Sequence, residues 1–307
     1  MVRFSRFFPM SGLAALLLLA GCRELVQDEF PDFTPVPAVN SYLAADSLIK
    51  VHVSLSGKLD TIPLTLVDHA TVSCYVNDTL LGNLPHAGNG YYHSNAKAKA
   101  GNIYRIRVTV PGFPEITATD TIPEPVKLLA VEHINFAEIN EEGYSYPGVR
   151  ITFPVDRKKT QYFQVMIRDS TLFSSWRLKP LCEFKDPLLL TEGLPVAVFS
   201  TGNIMDSTYT LQVDYYNASS YGYNGPPPDY VMLESYYPIT VDFISISWHY
   251  YQYLKQLHLY NTGRFPDFQF GPYHAFPLYS NVRNAIGIVA GYSVYRSEVI
   301  YPEPRKR

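Results

Sequence analysis

Every second residue of Ile49-Lys50-Val51-His52-Val53-Ser54-Leu55 is apolar, the period of a strand with one buried face. Residues 70–77 repeat the pattern and turn Cys74 inward. Residues 103–110 put Tyr104, Ile106, Val108 and Val110 on one side, and 116–121 offer a further strand. Asp78-Thr79-Leu80-Leu81-Gly82, Gly88-Asn89-Gly90, Ala100-Gly101-Asn102 and Pro111-Gly112 read as the intervening turns. Short strands at intervals of about ten residues predict an immunoglobulin-like β-sandwich over residues 36–122.

Pro123-Glu124-Pro125 stiffens the chain and removes two backbone donors, which suits a junction. Alternation resumes in 149–153, 163–168 and 208–215. Between 242 and 260, Phe243, Ile246, Tyr250, Leu254 and Leu257 recur at three- and four-residue steps and predict one long α-helix, ended by Gly263 and Pro266. The apolar run 285–292 predicts a central closing strand. The expected fold class is mainly β: an N-terminal immunoglobulin-like sandwich, then a larger β-rich domain (123–307) carrying one long helix.

The beginning of the chain changes the picture. Arg3 and Arg6 precede the apolar run 13–19, which is too short to cross a bilayer and has the length of a signal-peptide core. It ends in Leu19-Ala20-Gly21-Cys22, which resembles a bacterial lipobox, with Cys22 as the acylated (diacylglycerol and palmitate) residue. Residues 1–22 are then a lipoprotein signal and 23–35 a polar tether. Acyl chains stabilise attachment by about 0.8 kcal/mol per buried methylene, so this expectation needs no membrane-spanning helix. Arg23 follows the cysteine in place of an aspartate, and Glu24, Asp28 and Glu29 make the tether acidic. Outer-membrane anchoring is expected, on the periplasmic or the external face. A net charge of −3 with dispersed basic residues argues against nucleic acid as partner. Besides Cys22 there are Cys74 and Cys182, in the two predicted domains. They are either bridged or, as we expect, two buried thiols.

Chemistry-bearing motifs are sparse. Neither a Gly-x-Ser-x-Gly elbow nor a His-Glu-x-x-His pair nor a phosphate-cradling glycine loop occurs, so a non-enzymatic protein without cofactor or metal is expected. His86 and His93 flank a turn and read as exposed turn residues. His249 and His258 stand nine residues apart on the predicted helix. Glu138, Glu141 and Glu142 read as a solvated acidic loop. Two features lean toward function. Tyr215, Tyr216, Tyr221, Tyr223 and Tyr230 surround Gly225-Pro226-Pro227-Pro228, and an extended loop rich in tyrosine is either a recognition surface or a cover for the sheet beneath. Six of the fifteen aspartates precede Ser47, Thr61, Thr79, Thr121, Ser170 and Ser207 in an Asp-Ser/Thr pattern. That pattern resembles the acceptor of periplasmic O-glycosylation in Bacteroidota, although Asp before a hydroxyl residue is also a common entry from turn to strand.

Several segments together resemble one family. They are Asp46-Ser47-Leu48-Ile49-Lys50-Val51, Ala70-Thr71-Val72, Gly90-Tyr91-Tyr92, Ala100-Gly101-Asn102-Ile103-Tyr104 and Thr121-Ile122-Pro123-Glu124-Pro125. The tail adds Leu278-Tyr279-Ser280-Asn281-Val282, Gly287-Ile288 and Gly291-Tyr292-Ser293. Their order resembles the Bacteroidota lipoprotein family called domain of unknown function 4249, with Ala285 where relatives more often have glycine. The resemblance implies an outer-membrane lipoprotein of the kind often encoded beside TonB-dependent receptors, hence an accessory role in uptake or envelope assembly. It hands over no catalytic residues. The expected function is therefore a binding or accessory partner of an outer-membrane β-barrel receptor. The alternative is a surface glycan-binding lipoprotein, and a third reading, an envelope hydrolase, would require a cleft with convergent polar groups.

Overall fold

The alternating segments fold as strands, and several of the turns between them place Asp46, Asn77, Asp78 and Asn89 at φ between 47° and 65°. Short Asn and Asp side chains tolerate this left-handed region because they can hydrogen-bond locally. The computed structural model describes residues 33–58, 64–139, 143, 145–169, 177–178, 185–216, 219–225, 231–263 and 276–306. The first nine strands are β1 (Pro37–Ala44), β2 (Leu48–Leu55), β3 (Thr65–Leu66), β4 (Thr71–Val76), β5 (Thr79–Leu84), β6 (His86–Gly88), β7 (Tyr91–Lys97), β8 (Ile103–Thr109) and β9 (Ile116–Thr121). After Pro125 come β10 (Ala130–Ile139), β11 (Ser145–Pro154), β12 (Tyr162–Asp169), β13 (Arg177–Leu178) and the short helix α1 (Pro187–Thr191). Next are β14 (Val198–Ser200), β15 (Thr208–Asp214), β16 (Ser219–Asn224), β17 (Val231–Tyr236) and β18 (Ile239–Ile246). The long helix α2 (Trp248–Gly263), β19 (Ile286–Arg296) and β20 (Arg305–Lys306) complete the chain.

The largest sheet runs β13-β12-β18-β19-β1-β2-β7-β6, with β14 on β12 and β3 on β2. It takes strands from both sides of Pro123, and residues Pro35–Arg307 group as one compact unit. On its β1-β2 side, Val39, Val51 and Val53 share an apolar cluster with Val72, Cys74, Ile106 and Val108 of the sheet β5-β4-β8-β9. On its β12-β18 side, Phe163, Val165, Val241 and Phe243 meet Ile151, Phe153, Leu211 and Val213 of the sheet β10-β11-β15. The rings of Phe163 and Phe243 lie 4.6 Å apart at the centre of that second core. Cys74 is fully enclosed as a free thiol, and burial pushes its pKa up to about 11. Cys182 lies outside the described residues, as do Cys22, Thr61, Ser170 and Tyr230.

Strand β19 closes the main sheet, as the apolar tail predicted. It lies parallel to β1 (Ala38 opposite Ile286) and antiparallel to β18. Gly287, at φ 123°, sits so close to β1 that a Cβ there would fall on the Val39 carbonyl; one at Gly291 would fall on that of Thr121. Only glycine fits both places.

The expected helix over 242–260 needs correction. Residues Asp242 to Ile246 belong to β18, and the helix starts at Trp248. β18 is covered on both faces, so all eight of its residues are buried and no alternation marks it as a strand. Ile239, Val241 and Phe243 point into the second core, while Ile244 and Ile246 point the other way, onto Tyr251 of α2. Ser247 makes the switch. Its Oγ accepts the Tyr250 N–H at 3.1 Å and its carbonyl accepts the Tyr251 N–H at 2.9 Å, which caps the helix. Farther along α2, the Lys255 Nζ donates to Glu192 Oε2 at 2.9 Å and to the Glu192 carbonyl at 3.0 Å, and Tyr251 donates to the same carboxylate. Glu138 also departs from expectation: it lies in β10, mostly enclosed, paired with Lys185.

Phe243→Ala removes the ring at the centre of the second core. It should lower the unfolding free energy by about 4 kcal/mol, read from the midpoint of a urea titration at unchanged slope.

Candidate functional site

Where the first core gives way to the second, three pieces of chain far apart in sequence converge. They are the end of β9 with residues 122–126, the approach to β12, and the β18–α2 corner. They enclose an open cleft of about 540 Å³. Ile122, Val126, Phe163 and Ile246 supply its apolar lining; Asp120, Glu124, Lys159, Gln161, Ser245 and Ser247 its polar groups. Trp248 and His249, the first residues of α2, stand at the same cleft.

Asp120 is the anchor of this corner. It is 6% exposed. Its Oδ2 accepts the Gly291 N–H at 2.7 Å and the Ser247 hydroxyl, and Ser247 N–H in turn donates to the Gly291 carbonyl at 2.9 Å. One carboxylate thus ties β9 to β19 and to the cap of α2. Burial pushes its pKa above the ordinary carboxyl value, and the hydrogen bonds from Ser247, Gly291 and Thr121 offset this only in part.

The aspartate, serine and histidine of the cleft are not arranged for nucleophilic attack. Ser247 gives its proton to Asp120 and accepts the helix N–H, while His249 Nδ1 shares a 2.6 Å hydrogen bond with the Tyr279 hydroxyl. Nucleophilic serine chemistry needs the imidazole on the hydroxyl, and these hydrogen bonds of Ser247 and His249 lead elsewhere.

The outer face of the main sheet is a second surface of note. Asp242 lies there between two guanidinium groups, with Arg168 Nε at 2.5 Å and Arg296 Nε at 2.6 Å. Burial works against its charged form, but the hydrogen bonds and charges of Arg296 and Arg168 outweigh it and hold the carboxyl below its usual range. Toward β7 the same sheet carries aromatic rings: Tyr91 lies 4.5 Å from His52 and 6.1 Å from His93. Tyr42 packs against Tyr250 and Tyr253 of α2. His86 does not join His93; it bonds Asp68 at 2.8 Å. Among the described residues no group of three His, Cys, Asp or Glu could hold a metal ion. Nor, among them, is any helix long and apolar enough to cross a membrane.

The tyrosine-rich stretch folds differently from the extended loop expected. Residues on either side of the proline run form the hairpin β16–β17, with Tyr221 opposite Glu234 and Tyr223 opposite Met232. Tyr215 leaves the exposed set altogether: it is fully buried, with its hydroxyl 2.9 Å from His133 Nε2. Tyr216 stays at the surface, 60% exposed. Of the Asp-Ser/Thr positions, Ser47, Thr79, Thr121 and Ser207 are exposed, while Asp120 beside Thr121 is the buried carboxylate of the cleft.

Residues 23–298 match the family described as Domain of unknown function (DUF4249). The chain belongs to this family. The whole cleft, from Gly101 to His249, lies within the matched span, as does all of β19, whereas β20 lies beyond it. No curated protein matches the chain.

A carboxyl whose pKa is raised by folding binds more protons in the folded state, so its contribution to stability is full below the ordinary value of 3.8 and is lost as pH rises through the folded value. Asp120→Asn should remove this component. Urea titrations between pH 4 and pH 7 should show a flatter pH dependence for the variant, and an unchanged slope would place the proton on another group.

Proposed function

We propose that this member of the family is a lipid-anchored, non-enzymatic binding protein of the bacterial outer membrane, an accessory of a TonB-dependent β-barrel receptor. The observation that carries the anchor is Leu19-Ala20-Gly21-Cys22, with the family match starting at the very next residue. On this reading the organism is one of the Bacteroidota and Cys22 bears the acyl chains. Residues 36–122 act as an immunoglobulin-like scaffold, in keeping with two sheets that enclose one core. Binding is favoured over catalysis by the commitment of Ser247 and His249 to structural hydrogen bonds. The contact surface for the receptor is the β16–β17 hairpin with neighbouring Tyr216; tyrosine offers large contact area with few rotors to freeze.

The exposed hydroxyl residues Ser47, Thr79, Thr121 and Ser207 are, on the same reading, O-glycan acceptors. Ser47 and Thr79 each follow an aspartate held at positive φ in a tight turn, which presents the hydroxyl outward. Thr61 and Ser170 share the pattern in sequence.

Cys22→Ala should abolish incorporation of labelled palmitate and release the protein from the membrane fraction. Crosslinking in cells followed by solubilisation should recover the unaltered protein with a β-barrel receptor; recovery as a lone monomer would overturn the partnership. The intact mass of the native protein should exceed chain plus lipid by whole sugar units, and a mass accounted for by lipid alone would remove the glycan acceptors.

A further inference from the structure

The cleft at the β9–α2 corner holds a polar group that the fold does not use. Ser245 is 2% exposed and lines the cleft, yet its hydroxyl has no hydrogen-bonding partner among the described residues. Its cross-strand neighbour Ser293 is in the same condition and lines the adjoining cleft of about 520 Å³, to which Glu124 also contributes. An unmade hydrogen bond in a buried place costs about 1–3 kcal/mol, so an idle serine in a cleft is a reason to ask what completes it.

The remaining lining narrows the answer. Asp120 and Glu124 face a single Lys or Arg, Lys159, among the described lining residues, and Lys159 already lies 3.9 Å from Asp156. This balance disfavours phosphate or any other strong anion. A wholly apolar ligand would leave the Ser245 hydroxyl unpaired and Asp120 and Gln161 stripped of water. What fits is a neutral ligand bearing hydroxyls on one side and C–H surface on the other. The carboxylates and the Gln161 amide suit hydroxyls, and Ile122, Phe163 and Ile246 suit the C–H face. Trp248, 46% exposed at the cleft, is held edge-on by Tyr279 at 5.9 Å and 89°, so its ring face is oriented before anything binds. The cleft volume lies within the range of small-molecule sites.

We propose that this cleft binds a neutral carbohydrate of one or two rings, with the Ser245 hydroxyl, closed to solvent in the free protein, turning about χ1 to hydrogen-bond it and Trp248 as the stacking surface. The proposal rests on the reading of the chain as a binding protein, but not on the receptor partnership, which uses another surface.

The chain has two tryptophans, so Trp176→Phe leaves Trp248 as the sole indole reporter. We would titrate that variant with glucose, galactose, N-acetylglucosamine and maltose, and with glucose 6-phosphate for comparison, using calorimetry on the unaltered protein as second readout. At least one neutral sugar should give a saturable change in Trp248 emission and bind at least tenfold more tightly than glucose 6-phosphate. Ser245→Ala should weaken that sugar about fivefold, the worth of one hydrogen bond, without lowering the thermal midpoint of the free protein. No saturable response to any of the four sugars, equal or tighter binding of the phosphorylated one, or an affinity indifferent to Ser245→Ala would each overturn the proposal. A negative titration leaves receptor recovery by crosslinking untouched, so the two ideas fail separately.

Discussion

The parallel pairing of β1 with β19 is the contact on which the rest of the molecule depends. It sits in the middle of the main sheet, with the strands of one core on one side and those of the other core beyond it. Without it, β1 and β2 would be severed from β18 and β12, and the two apolar clusters would become separate small cores. The pairing brings backbones close, so Gly287 meets Val39 of β1 with no room for a side chain; the crossing of β9 over β19 demands the same of Gly291 against Thr121. Parallel pairs are slightly less stable per residue than antiparallel ones. Here the pair is covered on one face by Val39 and Val289 and flanked on both sides by antiparallel ladders.

Much of the first half was legible in the sequence because its strands bury one face only. β2, β4, β8 and β9 alternate cleanly, and polar turn residues separate them, so period and punctuation agree. The second half hid where burial is two-sided. In β18 the residues Asp242, Phe243, Ile244, Ser245 and Ile246 serve two different layers, and their three-residue apolar spacing continues without a break into α2. Helical periodicity across a strand–helix corner is then a coincidence of two short patterns. The tyrosines flanking the proline run read locally as part of a loop, whereas residues 219–224 and 231–236 pair as a hairpin; the run itself lies outside the described residues.

The corner site was not legible at all, for a reason of distance. Asp120 and Ser247 are 127 residues apart, and Asp120 and Gly291 are 171 apart. Read locally, Asp120 belongs to a turn-like Asp-Thr pair at the end of a strand. Nothing in that setting shows that its carboxylate will be sealed beneath a glycine of the last long strand and capped by a serine at a helix start. A signal was present all the same: Gly287 and Gly291 interrupt an apolar strand four residues apart, and glycine inside a strand marks close approach of another backbone.

The order of strands along the chain has a kinetic meaning. The first strand of the sheet finds its parallel neighbour 248 residues later, so β1 and most of its other neighbours are made well before the two can meet. Closing a loop of that length costs about 3 kcal/mol more than closing one of ten residues, a modest thermodynamic charge. The delay matters more. Until β19 emerges, β1 carries an open row of amides and carbonyls along one edge, a template for strand exchange between nascent copies.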